Sequence, residues 1–152
     1  LKKTKANIKE MVDETLDLVS EALHVSKIAV STDIAEDIAV FVDKEQMERV
    51  LFNLIANSIH AVRDSGKGDR ILIKARKENN RVIMEVADNG PGIPQQIIDR
   101  IFEPFFTTKQ IGKGTGLGLS ICYNIIKAHG GNIRIKSIEG EGTTFVIELP
   151  IV

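Results

Sequence analysis

The sequence predicts an α/β (α+β) two-layer sandwich, a mixed and largely antiparallel sheet packed against a layer of three helices. Three observations predict it. Apolar residues recur at helical spacing in three stretches, about 7–24, 43–64 and 117–129. Residues 71–87 and 133–149 alternate apolar and polar on either side of turn residues, as half-buried hairpins do. The order of elements lacks the regular strand–helix alternation that builds a parallel sheet, so one sheet against one helical layer is the expected packing.

Taken in order, Ile8, Met11, Val12, Thr15, Leu16, Val19, Ala22 and Leu23 line one face of the first helix. Residues 28–33 and 39–42 are short strands rich in β-branched side chains. Asp43 is placed to cap the next helix, with Gln46 three residues on in capping-box register. That helix ends before the turn cluster Ser65-Gly66-Lys67-Gly68-Asp69. Residues 71–77 and 81–87 form a hairpin around Asn79-Asn80. Pro94 opens a short helix to about Phe102, and 103–114, with Pro, Thr and Gly but no period, are a loop. The last helix, 117–129, stops at Gly130-Gly131. Residues 133–137 and 144–149 form the final strand pair around the Gly140–Gly142 turn.

The chain of 152 residues is expected to form a single core, with 43% apolar and 27% charged residues in the range of soluble globular chains. A net charge of −1 gives no basic footprint for nucleic acid. No apolar run approaches the roughly 20 residues of a membrane span, and nothing resembles a secretory signal. The lone Cys122 excludes an internal disulfide or a cysteine zinc cluster and fits a cytoplasmic location. The chain starts without Met, as a fragment of something longer is expected to.

Four segments carry the chemistry. Asp88-Asn89-Gly90-Pro91-Gly92-Ile93 follows a strand. A carboxylate there can accept a hydrogen bond from an exocyclic amine, as on adenine, and repels the carbonyl that guanine offers at that position. Gly90 and Gly92 would let backbone and ligand approach closely. The bland alternative is a tight turn. Gly112, Gly114, Gly116 and Gly118 alternate and run into a helix at Leu117, whose free N–H groups and dipole attract phosphate. The spacing is neither a P-loop nor the dinucleotide fingerprint, and a flexible linker is the alternative. On the helix 43–64, Gln46, Arg49, Asn53, Asn57 and His60 form a polar stripe opposite Leu51, Leu54, Ile55, Ser58 and Val62. Asn53 and Asn57 lie one turn apart, and an amide oxygen suits Mg²⁺, with Arg49 or His60 near the phosphates. A solvated helix face is the alternative. Finally, half of the chain's six Phe lie in residues 102–106, placed to fill the core edge and to anchor a lid from which Lys109 or Lys113 swings toward a triphosphate. Of the other histidines, His24 ends the first helix and His129 sits in a last helical turn, where a cation suits the dipole. No Ser-His-Asp arrangement or histidine metal cluster is evident.

These segments, in this order, resemble the catalytic and ATP-binding domain of sensor histidine kinases, in the superfamily shared with gyrase, the heat-shock chaperone ATPases and the mismatch-repair ATPases. Residues 53–61 are similar to the N box, 88–93 to the G1 box, 102–109 to the F box and 114–119 to the G2 box. Gly142-Thr143-Thr144-Phe145 with Leu149-Pro150 resembles the family's final strand. The likeness covers nearly the whole chain.

The resemblance implies a Bergerat-type fold binding ATP with Mg²⁺. It assigns Asn57 to the metal with Asn53 assisting, Asp88 to the adenine amine, and Gly90, Gly92 and Ile93 to the base. Gly112, Gly114, Thr115, Gly116, Leu117 and Gly118 would hold the phosphates, with Arg49, His60, Ala61 and Lys109 in the same nucleotide site. Thr143 or Thr144 would touch the Asp88 region. Asn53, His60 and Lys109 are the candidate catalytic residues. ATPase relatives tend to carry a Glu where Asn53 stands, and an amide cannot deprotonate water near neutral pH. The implied acceptor is therefore a histidine on a separate dimerisation hairpin, with relay to a response regulator receiver domain. Residues 1–6 would be the tail of that hairpin or a linker, and 7–152 the catalytic domain, monomeric in isolation, without membrane insertion and possessing no self-phosphorylation. The rivals are a gyrase- or chaperone-type ATPase, a small serine kinase acting on a transcription-factor regulator, and a nucleotide-binding module without transfer activity.

Overall fold

The computed structural model describes residues 1–104, 106 and 118–151. The chain runs β1 (Lys3–Asn7), α1 (Ile8–Leu18), α2 (Ser20–Val25), β2 (Ala29–Ile34), β3 (Ala39–Asp43), α3 (Lys44–Ser65), β4 (Arg70–Glu78), β5 (Arg81–Asp88), α4 (Gln95–Ile98), α5 (Gly118–Ala128), β6 (Asn132–Ile138) and β7 (Gly142–Pro150). Five strands form one sheet in the order β2-β4-β5-β7-β6. Only β2–β4 is parallel. The connection between them passes through α3, as a parallel pair requires.

The alternation read from the sequence sets the faces of this sheet. Ile71, Ile73, Val82, Met84, Val86, Phe145, Ile147 and Leu149 are buried on one face. They share a core with Met11 and Val12 of α1, Leu51, Leu54 and Ile55 of α3, and Cys122 and Ile126 of α5. Each such aliphatic side chain stabilises the fold by about 1.5–3 kcal/mol on full burial. On the opposite face, Arg76 pairs with Glu85, and Arg134 with Glu148. Arg134 lies in register with Val146, which is buried beside it. The β4–β5 hairpin turns at Asn79 and Asn80, at φ 51° and 63°, the left-handed conformation that a two-residue hairpin loop requires and Asn tolerates.

Three features differ from the sequence reading. Residues 3–7, where the sequence predicts no strand, form β1, antiparallel to β3 in a separate two-stranded sheet. Ala6 is buried there, while the exposed Lys3 and Lys5 hide the strand pattern. The predicted first helix is broken at Val19. Its N–H divides between Thr15 O at 3.3 Å and Leu16 O at 3.2 Å, and the Ser20 hydroxyl donates to Asp17 O at 2.9 Å. A serine bonding back to the preceding turn competes with helix continuation. Pro94 stands just before α4 rather than within it, and α4 ends at Ile98, short of Phe102.

Asp43 caps α3 as predicted, accepting from Gln46 N at 3.2 Å. Bonds from the Lys2 and Gln46 backbone N–H groups hold its carboxyl below the usual range. The Asp43 backbone N–H is taken by a residue far along the chain, His129 Nε2 at 3.0 Å. His129 Nδ1 lies 2.8 Å from Ile125 O. A ring making both bonds accepts through Nε2 and donates through Nδ1. His129 is therefore a buried tie between the end of α5 and the start of α3. No helix of the described residues is long and apolar enough to cross a membrane.

Candidate functional site

The site lies along α3, between the end of β5 and the start of α5. Asp88 closes β5 on the helix-facing side of the sheet and is only 9% exposed. Its Oδ1 accepts the Gly90 N–H at 2.9 Å. Burial pushes its carboxyl above the ordinary aspartate value, opposed by the Gly90 N–H, the Ser58 hydroxyl and the Thr143 N–H. Ser58, fully buried on α3, acts on Asp88 at a distance. Its hydroxyl closes no hydrogen bond of normal geometry. A buried carboxylate beside an unpaired buried hydroxyl is a costly arrangement for a mere turn. It fits a site whose polar groups are completed by a ligand carrying a hydrogen-bond donor.

The glycines of the Asp88 turn also have reasons internal to the protein. A Cβ on Gly90 would stand 3.0 Å from Asp88 Oδ1 and 3.4 Å from Val62 Cγ2. Gly92 is held at φ +73°, and a Cβ there would run into the Ile138 carbonyl. Asn89 is a brace. Its Oδ1 accepts from Asp69 N and Arg70 N, both at 2.9 Å, and its amide donates to Asp69 Oδ1 at 3.0 Å.

Residues 90–95 are fastened to the β6–β7 hairpin. Ile93 N donates to Ser137 Oγ at 2.7 Å, Gly140 N to Pro91 O at 2.7 Å, and Gln95 Nε2 to Ser137 O at 3.3 Å. Ser137 Oγ also meets Gly142 O at 3.1 Å and Thr143 Oγ1 at 3.0 Å. Asp88 pairs in register with Thr143. Thr143 thus flanks the carboxylate on the helix-facing side. Thr144, the other predicted candidate, is on the opposite face because strand side chains alternate. It lines a shallow depression of about 220 Å³ together with Asp88, Lys136, Ser137, Ile138, Glu141 and Gly142.

On α3, the two predicted amides are both half-buried. Asn53 Nδ2 donates to the Gly118 carbonyl at the start of α5, a long bond of 3.4 Å. Its donor end is engaged there, which leaves its oxygen as the end available to a cation. Cys122 of α5 packs nearby, its Sγ 3.8 Å from Val50 O, and burial pushes its thiol up to about 11. Arg49 is exposed and close enough to lower that thiol slightly. His60 and Ala61 are half-buried on the next turns, beside Ser58 and Val62.

Phe102 packs against Tyr123 of α5 at 5.8 Å and edge-on to Phe145 of β7 at 6.4 Å. Arg100 sits 4.9 Å over the Phe106 ring. The anchoring half of the Phe-loop reading thus has a structural counterpart. Phe105, Thr107, Thr108, Lys109, Gly112, Lys113, Gly114, Thr115, Gly116 and Leu117 lie outside the described residues.

The structure therefore brings together Asn53, Asn57, Ala61, Asp88, Gly90, Gly92, Ile93, Gly118 and Thr143 along α3 and the ends of β5 and β7. It adds Ser58 and Ser137, which the sequence reading left out. Ser58 was assigned to the core, correctly, but its hydroxyl faces the carboxylate. Ser137 follows Ile133 and Ile135 on the helix-facing side of β6. A hydroxyl on an otherwise apolar face was the signal available.

A family model described as histidine kinase-, DNA gyrase B- and HSP90-like ATPase matches residues 42–152. The sensor histidine kinase ZraS of Salmonella typhi is 38% identical over 148 residues, which cover 96% of this chain and 31% of ZraS. The chain thus spans about a third of that relative's length. The catalytic domain of histidine kinase ThkA, in a nucleotide-free form, has a TM-score of 0.87 at 35% identity, covering 99% of this chain and 97% of that one. ThkA has also been solved in complex with the response regulator protein TrrA. Full-length ShkA in complex with AMPPNP has a TM-score of 0.88 at 27% identity, covering 100% of this chain and 32% of ShkA. The chain belongs to the histidine kinase-, DNA gyrase B- and HSP90-like ATPase family, as an ATP-binding catalytic domain of the histidine kinase type.

Proposed function

We propose that this domain, in a two-component sensor kinase of the cytoplasm, transfers the γ-phosphoryl group of Mg²⁺-ATP to a histidine on a separate dimerisation hairpin, for relay to a receiver domain. The observation that carries the reading is Asp88, a buried acceptor at the end of β5 beside an unpaired hydroxyl of α3, the helix that also carries the two amides. Asp88 accepts the adenine amine. Asn57 holds the metal, with the free oxygen of Asn53 assisting. The N-terminal end of α5 faces the phosphates, and Arg49, His60 and Lys109 complete the charged surroundings. Mg²⁺, when bound, neutralises and aligns the phosphate oxygens. Asn53 orients without accepting a proton, so water is not activated and the phosphoryl group is kept for an imidazole.

The test is to mix the chain with the separately purified hairpin and label with γ-phosphate-tagged ATP. Acid-labile label is expected on the hairpin and absent from His24, His60 and His129 of the chain. Rapid release of inorganic phosphate irrespective of the hairpin would favour an ATPase, and tight ATP binding with neither outcome a nucleotide-sensing module.

A further inference from the structure

The proton bookkeeping at Ser137 has a single solution. A hydroxyl has one proton and two lone pairs. The Ile93 N–H can only donate to Ser137 Oγ, at 2.7 Å, and the Gly142 carbonyl can only accept from it, at 3.1 Å. The arrangement that satisfies all three contacts has Ser137 donating to Gly142 O and its remaining lone pair accepting the Thr143 hydroxyl at 3.0 Å. Thr143 is 6% exposed and Ser137 8%, so neither hydroxyl is free to reorient at little cost. With its proton committed to Ser137, Thr143 offers only lone pairs beside Asp88, its register partner. Asp88 in turn directs its carboxylate oxygens at donors. On the β7 side of the carboxylate the Thr143 hydroxyl is then an acceptor, while the donors near Asp88, the Gly90 and Thr143 N–H groups and the Ser58 hydroxyl, are directed at the carboxylate itself.

We propose that Ser137 is a specificity-determining positioning residue. By holding the Thr143 proton away from the base and fixing Ile93, it makes the site demand an amino group and reject a carbonyl at the same position. The inference rests on the reading that Asp88 meets the base. It touches no phosphate and acts on the base only through Thr143 and the 90–93 turn.

The experiment compares ATP with inosine triphosphate, which carries a carbonyl in place of the amine and a proton on the adjacent ring nitrogen, in calorimetric titrations of the full chain. In Ser137→Ala the freed Thr143 hydroxyl can donate to the carbonyl. The preference for ATP is expected to fall about tenfold, the worth of one hydrogen bond changing sign, with inosine triphosphate binding no weaker than in the wild type. Ser137→Thr keeps the hydroxyl and is expected to keep the preference. Should Ser137→Ala fail to fold, Ser137→Cys, of similar shape and poor hydrogen-bonding power, takes its place. An unchanged ATP preference in a folded variant overturns the proposal and leaves the Asp88 reading standing. A wild type that binds both nucleotides equally, or an Asp88→Asn variant with wild-type preference, overturns the reading and the proposal together.

Discussion

Replacing Asp88 by Asn separates recognition from folding. Oδ1 of residue 88 accepts the Gly90 N–H at 2.9 Å, and the amide oxygen of Asn would keep that bond. The amide nitrogen then stands where the second carboxylate oxygen was, presenting donors to the Thr143 N–H and to the ligand amine. Losing a charge-assisted bond costs about 1.5–3 kcal/mol, so ATP affinity should fall about 10- to 150-fold. The Thr143 N–H loses its acceptor, a cost of about 1–3 kcal/mol, and relief of the buried charge offsets it on the neutral side, so stability should move little. The Asp88 carboxyl is raised from its ordinary value of 3.8 by burial. A raised carboxyl contributes stability that is fully present below its unfolded pKa and lost as pH rises through the folded one. The amide escapes that loss. The complex has the opposite dependence, because the amine favours the anion. Wild-type affinity should be full above the Asp88 pKa and decline as pH falls through it, beginning at a higher pH than for an ordinary aspartate, while the variant stays flat. Calorimetric titration with ATP and GTP across pH, beside thermal melts without nucleotide, measures all of this. An unchanged ATP-to-GTP ratio would refute the assignment, and so would an affinity loss matched by a collapse of the melt.

Two further outcomes follow from the helices. Asn57→Ala should weaken binding of ATP roughly tenfold more with Mg²⁺ than with chelator present, with an unchanged melt, since the residue is half-buried and outside the core. Equal losses in the two titrations would remove Asn57 from the metal. Cys122, with its thiol pushed up to about 11 by burial, holds roughly a thousandth of its population as thiolate at pH 8. Iodoacetamide should leave the native chain unmodified and alkylate it in denaturant. Rapid native labelling would mean that α5 opens away from α3.

What could be read from the sequence was whatever is local or periodic. The α3 stripe, the Asn79-Asn80 hairpin, the Asp43 cap and the Gly130 stop depend on neighbours a few residues away, and the four boxes are contiguous strings. The unread parts depend on partners far along the chain. Nothing within residues 1–7 says that β3 will pair with them. The bond from Asp43 N spans 86 residues to His129, and Ile93 N reaches 44 residues to Ser137. Thr143 and Thr144 could not be told apart without the register. The packing of Gly90 against Val62 and of Gly92 against the Ile138 carbonyl was not legible either, because those partners are distant in sequence.

That register also bears on how faithfully the domain assembles. A slip of one residue between β5 and β7 would turn Phe145, Ile147 and Leu149 toward water and bring Thr144 opposite Asp88. Three large buried side chains therefore proofread the placement of one hydroxyl. The final strand pairs with β5 from far along the chain, a slow class of contact to form, and the base-reading corner is complete only when it has docked. Nucleotide would bind the finished sheet and not its precursors, so saturating ATP should add about 2.7 kcal/mol at a hundredfold excess over Kd to the whole cooperative unit. Recognition of a small molecule at one corner then acts as a final inspection of the entire fold.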